Sequence, residues 1–288
     1  MAAAAISKKL IPLVAMLTIP LIIIFTMMTQ TVYSSRELLV VFDEFENDYE
    51  LHLEGDATIS ANNEIQLTKI QNGNPLPRSV GRVTYSNPIR LWDRSTGEVA
   101  SLHTTFKFLI DAPYTTPPAD GLAFFIAPHN ATLPPDSYAA LLGLFPGPPD
   151  EIHSNNIVAV EFDTFTNHVY QDPDYKHIGI DVNSIISKAT TEWKYWRNGV
   201  SDNVRVEYDP HSKKLKVTSY YTSGDIIELS HEIDLTTVLP EWVRIGFSGA
   251  TGDYTQSNII QSWFFHVKLE VVNNGVSARD EGYIASVM

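Results

Sequence analysis

Apolar residues recur at every second position over long parts of this chain, whereas the spacing of three and four residues that marks a helix is almost absent. Alternation of this kind is typical of strands that turn one face to a core and the other to solvent. Four such runs cover residues 102–110, 204–208, 215–221 and 263–271. We predict a turn of helix only at residues 235–239, which Pro240 ends.

Turn signals that contain glycine separate the predicted strands. They are Asn72-Gly73, Thr96-Gly97, Asn198-Gly199 and Ser223-Gly224-Asp225. Many strands joined by tight turns predict an all-β fold, an antiparallel sandwich of the jelly-roll kind. No linker, composition shift or internal repeat divides the chain, so we predict a single domain over residues 34–272, followed by a C-terminal tail over residues 273–288.

The N-terminus has the order of a secretory signal. Lys8 and Lys9 precede an uncharged apolar run over residues 10–28, and polar residues follow. We therefore predict that residues 1–33 are a signal peptide and that the mature protein is extracellular or vacuolar, without a membrane anchor. An uncleaved anchor is the alternative, which two prolines inside the run and the lack of a basic cluster after it disfavour.

Charge and cysteine content exclude several classes of function. The formal net charge is −14, and loss of Lys8 and Lys9 with the leader makes it −14 − 2 = −16. Such an acidic protein is a poor partner for nucleic acid or anionic membranes. The absence of cysteine excludes a disulfide scaffold, a zinc-thiolate site and thiol catalysis.

Residues 157–183 concentrate more potential ligand chemistry than the rest of the chain. Their first part predicts a strand over residues 157–165, in which Glu161 and Asp163 point the same way. A loop with further polar groups follows, and a second strand begins at His177. The alternative interpretation is that Glu161 and Asp163 line a solvated face and that His177 has a structural role.

Carboxylates and an imidazole crowded together repel and desolvate one another, and bound cations remove that penalty. We predict two ions. A mixed oxygen and nitrogen set suits Mn²⁺; its members are Glu161, Asp163, Asp172 and His177. An all-oxygen set suits Ca²⁺; its members are Asp163, Asn167, Asp172 and a loop carbonyl near Phe165.

The segments VAVEFDTF and HIGIDVNS, with Asn167 and Asp172-Pro173 between them, resemble the metal-binding segment of the legume lectins. The resemblance implies the concanavalin A-like lectin fold and the same Mn²⁺ and Ca²⁺ ligand sets. It also implies that the carbonyl of Phe165 binds Ca²⁺ and that Ser187 acts on Mn²⁺ through water.

The same resemblance implies a carbohydrate site beside the ions. Asp120, which alone reads as a turn aspartate, matches the family's sugar-binding aspartate, with a cis peptide between Ala119 and Asp120. Asn167 is expected to bond sugar hydroxyls, and the ring of Phe165 to pack on the apolar face of the sugar. These groups match a pyranose, which has polar edges and a CH face.

Two features modify the expected sugar site. Ala139 and Ala140 stand where the family usually has glycine, and Ala140 is at the position whose backbone N–H contacts the sugar. If the backbone there needs a positive φ, binding is weakened. In the loop over residues 249–256, Asp253 and Tyr254 occupy the positions that set sugar preference, and the loop length favours a mannose/glucose type.

Three functions follow from these patterns. The first is a non-catalytic, Ca²⁺- and Mn²⁺-dependent lectin, expected by resemblance to form a homodimer or homotetramer. The second is a lectin-like defence or storage protein that has lost sugar binding. A glycoside hydrolase of the same fold is disfavoured, because Phe165 and Thr166 stand where its second glutamate would fall. The sequon at Asn130 predicts a glycosylated loop.

Overall fold

The computed structural model describes residues 37–46, 49–146, 156–221 and 223–271. The predicted signal peptide and the predicted C-terminal tail lie outside the described residues. Within the described ranges, no helix has the length and apolar character needed to span a bilayer.

Strands make up most of the described chain. In order they are β1 (Glu37–Phe42), β2 (Leu51–Gly55), β3 (Thr58–Ile59), β4 (Ile65–Gln66), β5 (Ile70–Gln71), β6 (Asn74–Pro75), β7 (Val80–Tyr85), β8 (Ile89–Arg90), β9 (Glu98–Asp111), β10 (Gly121–Pro128), β11 (Val158–Asp163), β12 (His177–Val182), β13 (Ala189–Glu192), β14 (Asp202–Asp209), β15 (Lys214–Tyr220), β16 (Ile226–Glu232), β17 (Trp242–Ala250) and β18 (Ser257–Val271).

Two antiparallel sheets of eight strands each form a sandwich, as predicted. The sheet that we call the front sheet has the order β13-β12-β11-β10-β17-β7-β2, with β8 paired to β17. The back sheet has the order β16-β15-β14-β9-β18-β4-β3, with β1 paired to β18. Strands β5 and β6 form a separate hairpin, turned by Asn72 and Gly73, both of which have positive φ.

Aromatic rings from both sheets meet in the core between them. The ring of Phe106, on β9 of the back sheet, lies 4.8 Å from that of Phe247 and 5.9 Å from that of Phe124, both on the front sheet. Trp263 on β18 packs against Phe247 at 5.0 Å. Strand β9 alternates between buried and partly exposed residues along its length, which confirms the period-two pattern.

The central strands of the front sheet are buried on both faces. Val160 and Phe162 on β11 point into the core between the sheets, whereas Ala159 belongs to a second apolar cluster on the outer face, with Phe125 and Leu142. Residues 141–145, which follow β10, cover part of this outer face. Side chains that alternate outward from β11 are therefore enclosed instead of solvated.

The predicted helical turn exists as α1 (Leu235–Val238), whose first turn is capped by Asp234 through the Thr236 N–H. The expectation that no other helical turn occurs was wrong. Single 3₁₀ turns lie at Ala139–Leu141 and at His168–Tyr170. One turn is too short to produce a helical period in the sequence, so the pattern did not reveal them.

Asp202 is a buried carboxyl that ties β14 to the rest of the sandwich. The indole N–H of Trp193 donates to it over 3.1 Å, and the hydroxyl of Ser219 lies 2.8 Å from both of its oxygens. Burial raises the pKa of Asp202 from 3.8 to about 6. The folded protein therefore keeps this proton at a pH where the unfolded chain has already lost it.

Because of this proton, the free energy of unfolding changes with pH in a direction that can be predicted. Between about pH 4 and pH 6 the folded state binds more protons, so the free energy of unfolding falls as pH rises, by up to about 3 kcal/mol. We expect D202N to lack that decline when denaturant unfolding is compared from pH 4 to pH 7. D111N, at an exposed carboxyl on β9, serves as the control; equal slopes in D202N and wild type would contradict the assignment.

Candidate functional site

The site is built on the pairing of β11 with β12. Asp163 lies directly opposite His177 in the antiparallel register, and Glu161 lies opposite Gly179. Directly opposite residues share a face of the sheet, so Glu161, Asp163 and His177 are brought together as the sequence predicts. The predicted strands are confirmed, although β11 ends at Asp163 and not at Phe165.

These three side chains form a compact cluster. One ligand atom from each of Glu161, Asp163 and His177 lies within 4.8 Å of the other two. The side chain of Glu161 is 2% exposed and that of His177 is 1% exposed, with Nε2 of His177 3.1 Å from Oε1 of Glu161. The alternative interpretation of Glu161 and Asp163 as members of a solvated face is therefore wrong.

Gly179 makes room for this cluster. A Cβ atom at position 179 would lie 2.2 Å from Oγ of Ser187 and 2.3 Å from Oε1 of Glu161. Any side chain there would displace the glutamate. Gly179 was not predicted from the sequence, because the need for a glycine there follows from the strand register.

Asp181 is a second residue that the sequence analysis missed. It is fully buried, and the hydroxyl oxygen of Ser187 lies 2.7 Å from its Oδ1 and 2.5 Å from Oε1 of Glu161. Alternation along β12 places residues 177, 179 and 181 on one face, so the period-two pattern was a signal that could have found it. Ser187, predicted to act near the metal, therefore bridges two carboxyls.

The cluster is electrostatically unfavourable without a cation. Burial raises the pKa of Asp163 well above its ordinary value, and the charges of Glu161 and Asp172 add to the effect. Burial also raises the pKa of Asp181, again with a contribution from Glu161. For His177, burial lowers the pKa, but the hydrogen bond and charge of Glu161 outweigh it and the pKa is raised. A bound cation would relieve this repulsion.

The loop after β11 supplies further oxygens. The backbone N–H of Phe165 donates to Oδ1 of Asp163, and that of Asn167 donates to Oδ2 of Asp172, each over 2.6 Å. Burial raises the pKa of Asp172. The amide oxygen Oδ1 of Asn167 is buried and has no hydrogen-bond partner among the described residues. Buried oxygens without donors fit cation ligands, so the residues present fit the predicted metal site.

Asp120 lies next to this loop. Its backbone carbonyl accepts a hydrogen bond of 2.9 Å from the N–H of Thr164, and the peptide between Ala119 and Asp120 is cis, as expected. Burial raises the pKa of Asp120 to about 7, and the nearby charge of Asp253 adds to this. Its Oδ2 is buried and has no partner within the described chain. The carboxyl is thus available to a ligand hydroxyl.

The positive φ that the sequence analysis considered at Ala140 occurs one residue earlier. Ala139 has a φ of 58°, and its N–H donates to the carbonyl of Thr251 over 3.1 Å. Ala140 lies within the 3₁₀ turn, and its N–H has no acceptor among the described residues. The weakening of binding that a positive φ at Ala140 would cause therefore does not arise at this residue.

The loop over residues 249–256 closes the site. A Cβ atom at Gly252 would lie 2.8 Å from Oδ2 of Asp120, so glycine permits this approach. The ring of Tyr254 packs against that of Phe165 at 5.6 Å. Asp253 is exposed, and its Oδ1 lies 3.4 Å from Nη2 of Arg78. Arg78, which the sequence analysis did not single out, also donates its N–H to the carbonyl of Gly252 over 3.0 Å.

Comparisons with known proteins agree over this whole region. A family model described as the legume lectin domain matches residues 38–279. Agglutinin-2 of Cladrastis kentukea is 46% identical over 268 residues, which cover 90% of this chain and 89% of that protein. A mannose/glucose-specific lectin of Centrolobium tomentosum is 48% identical over 216 residues, which cover 74% of this chain and 87% of that protein.

Among solved structures, the basic winged bean lectin, in a complex with Tn-antigen, matches with a TM-score of 0.75 and 41% identity. The match covers 81% of this chain and 99% of that one. The family model, which matches residues 38–279, spans the described part of the chain.

Metal binding by the cluster of Glu161, Asp163 and His177 can be tested through its effect on stability. We expect addition of Ca²⁺ and Mn²⁺ to protein stripped with EDTA to raise Tm, since the ions bind the folded state and neutralise buried carboxylates. D163N should lose most of this increase, because Asp163 lies at the centre of the cluster. Differential scanning calorimetry measures both effects.

D174N is the matched control, since Asp174 lies in the same loop with its side chain 90% exposed. It should retain the increase seen for wild type. An increase that D163N retains in full would show that the ions stabilise the protein elsewhere.

Proposed function

Because the chain belongs to the legume lectin family, whose members are non-catalytic carbohydrate-binding proteins, we propose that it binds saccharides in a Ca²⁺- and Mn²⁺-dependent manner. The single observation that carries this proposal is the position of two buried oxygens without donors. They are Oδ2 of Asp120 and Oδ1 of Asn167, which have no partner among the described residues. The charge of Asp120 acts on Asp163, and the N–H of Asn167 donates to Asp172, so both residues lie beside the carboxylates. One side of the site suits cations and the other suits hydroxyl groups.

The metal part of the proposal assigns each ligand set by its chemistry. Mn²⁺ would be held by the mixed oxygen and nitrogen set of Glu161, Asp163, Asp172 and His177, with Ser187 acting through water. Ca²⁺ would be held by Asp163, Asn167, Asp172 and the carbonyl of Phe165. The ions would fix the loop between β11 and β12, so that Asn167 presents its amide to a ligand.

The saccharide part assigns contacts to four chain segments. Asp120 accepts from sugar hydroxyls, Asn167 donates to them, and the Ala140 N–H donates to a ring substituent. Phe165 supplies a ring for the apolar CH face of a pyranose. Asp253 and Tyr254 complete the rim, and the contact between Tyr254 and Phe165 supports a shared aromatic wall.

We propose a preference for mannose or glucose. The length of the loop over residues 249–256 supports it, and so does the similarity to the mannose/glucose-specific lectin of Centrolobium tomentosum. The basic winged bean lectin, which is 41% identical to this chain, has been solved in a complex with Tn-antigen. Ligand preference therefore varies among similar chains. The preference of this chain therefore depends on its own rim residues.

A lectin-like protein that has lost sugar binding is the second candidate. The substitution of Ala139 and Ala140 for glycine motivated it. The structure places the positive φ on Ala139, whose N–H is already bonded, so the Ala140 N–H stays free for a ligand. This observation favours the binding function over the second candidate.

We also propose that the protein enters the secretory pathway and is extracellular or vacuolar, with residues 1–33 removed as a signal peptide and the lectin domain spanning residues 34–272. Asn130 is exposed in the turn after β10, which supports glycosylation of the sequon.

Association into a homodimer or homotetramer is supported by an open edge. Among the described strands, β1 pairs only with β18. Leu39 is 60% exposed and Val41 is 51% exposed on this strand. An exposed apolar edge strand with free backbone groups is a ready surface for a second copy.

The binding proposal is tested on a glycan array with and without EDTA. We expect binding that EDTA abolishes, and a loss of about 10- to 100-fold in D120N, since a hydrogen bond to a charged group contributes about 1.5 to 3 kcal/mol. D43N, at an exposed aspartate after β1, is the control. No binding by metal-loaded wild type would support the second candidate, and bond cleavage would support a hydrolase.

The oligomer proposal is tested by charging the edge strand. We expect the double variant L39K/V41K to sediment as a smaller species than wild type in analytical ultracentrifugation, because charged edge strands oppose pairing. I226K is the control at β16, the opposite edge of the same sheet, where Ile226 is 54% exposed. Unchanged sedimentation of the double variant would exclude β1 as the interface.

A further inference from the structure

The outer face of the back sheet carries two neighbouring histidines that take no part in the saccharide site. His266 on β18 lies directly opposite His103 on β9 in the antiparallel register. Directly opposite residues point to the same side of a sheet, with Cβ atoms about 4.5 to 5.5 Å apart. Both histidines line one depression of about 440 Å³. The two imidazoles are therefore side by side on an accessible surface.

Each imidazole lies next to a carboxylate of its own. Nδ1 of His103 lies 3.3 Å from Oε1 of Glu207, and Nε2 of His266 lies 2.7 Å from Oε1 of Glu37. Nε2 of His266 is hydrogen-bonded to Glu37, which fixes the tautomer and leaves a lone pair on Nδ1. Glu207 lies at ion-pair distance from Nδ1 of His103, which favours a lone pair on Nε2. Nε2 of His103 and Nδ1 of His266 have no hydrogen-bond partner among the described residues.

This arrangement has the form of a metal ligand pair with its supporting groups. Metal-binding histidines commonly donate their second N–H to a carboxylate, which increases the basicity of the ligating nitrogen. Cβ atoms about 5 Å apart allow two rings to reach one ion at bond lengths of about 2.0 to 2.1 Å. The side chains of His103 and His266 are 41% and 30% exposed, so an ion can reach them from solvent.

The surrounding charge favours a cation. Among the residues that line the depression, the carboxylates of Glu207, Asp209 and Glu270 outnumber the ammonium groups of Lys214 and Lys216. Lys216 is itself paired with Glu228, its Nζ 2.5 Å from Oε1. An ion at the histidine pair therefore meets no excess of positive charge.

We propose that His103 and His266 form a second metal site, on the back sheet, that binds a transition ion such as Ni²⁺, Cu²⁺ or Zn²⁺. Glu207 and Glu37 act as orienting groups, and water completes the coordination. Two imidazole nitrogens without a direct carboxylate ligand select these ions over Ca²⁺, for which imidazole is a poor ligand. They also select these ions over Mn²⁺, which binds a given set of ligands more weakly than Ni²⁺, Cu²⁺ or Zn²⁺ does. The two metal sites of the molecule are therefore chemically distinct.

The proposal is tested by isothermal titration calorimetry with Ni²⁺ on the mature protein without a histidine tag. The protein is first saturated with Ca²⁺ and Mn²⁺, which occupies the cluster on the front sheet. We expect one further equivalent of Ni²⁺ to bind, and H103Q and H266Q each to weaken that binding at least tenfold. E207Q should weaken it less than either histidine variant, because Glu207 acts through His103.

H52Q is the matched control, since His52 is an exposed histidine on β2 of the front sheet. It should bind the further equivalent as wild type does. Retention of that binding in both H103Q and H266Q would overturn the proposal, and so would its loss in H52Q or D163N.

A crystal soaked with Zn²⁺ provides a readout that does not depend on variants. We expect an anomalous peak between the rings of His103 and His266, whereas a peak confined to the cluster of Glu161 and Asp163 would overturn the proposal. Chelator-sensitive saccharide binding should be unchanged in H103Q, so the result is independent of the function proposed above.

Discussion

The structure depends on the burial of like charges within a β-sheet. Glu161, Asp163 and Asp181 are each at most 4% exposed, on two neighbouring strands. Burying several carboxylates without compensation costs several kcal/mol each. In the described part of the chain, one hydroxyl, that of Ser187, bridges two of them, and His177 contributes one imidazole. The raised pKa values of Asp163 and Asp181 reflect this imbalance, which a bound divalent cation would correct.

Strand alternation lets β11 serve the core and the site together. Val160 and Phe162 pack between the sheets, while Glu161 and Asp163 face outward beneath the covering chain. A slip of one residue in the pairing of β11 with β12 would place carboxylates in the aromatic core. The free energy of core packing therefore fixes the register, and the register positions the ligands. Gly179 belongs to the same constraint, because it leaves the space that Glu161 occupies.

The sequence predicted the features that depend on period and residue type. Alternation identified the strands and placed Glu161 beside Asp163. The division of the ligands into a nitrogen-containing set and an all-oxygen set stays a prediction. Features that arise from contacts between distant segments were not predicted. The need for glycine at Gly252 follows from its approach to Asp120, and the position of Arg78 follows from its bond to the Gly252 carbonyl. The positive φ at Ala139 is set by the Ala139–Thr251 hydrogen bond, which no local pattern encodes.

The candidate site combines side chains held by strand register with side chains that lie on loops. The buried cluster is held by strand register, and a change in any of its members disturbs charge balance and packing together. Asp253, Tyr254 and Arg78 lie on loops, and the pair of Arg78 with Asp253 is exposed on both sides. An exposed ion pair contributes about 1 kcal/mol or less, so such residues can change with little loss of stability. Replacement of these loop residues therefore costs the fold less than replacement of a member of the buried cluster.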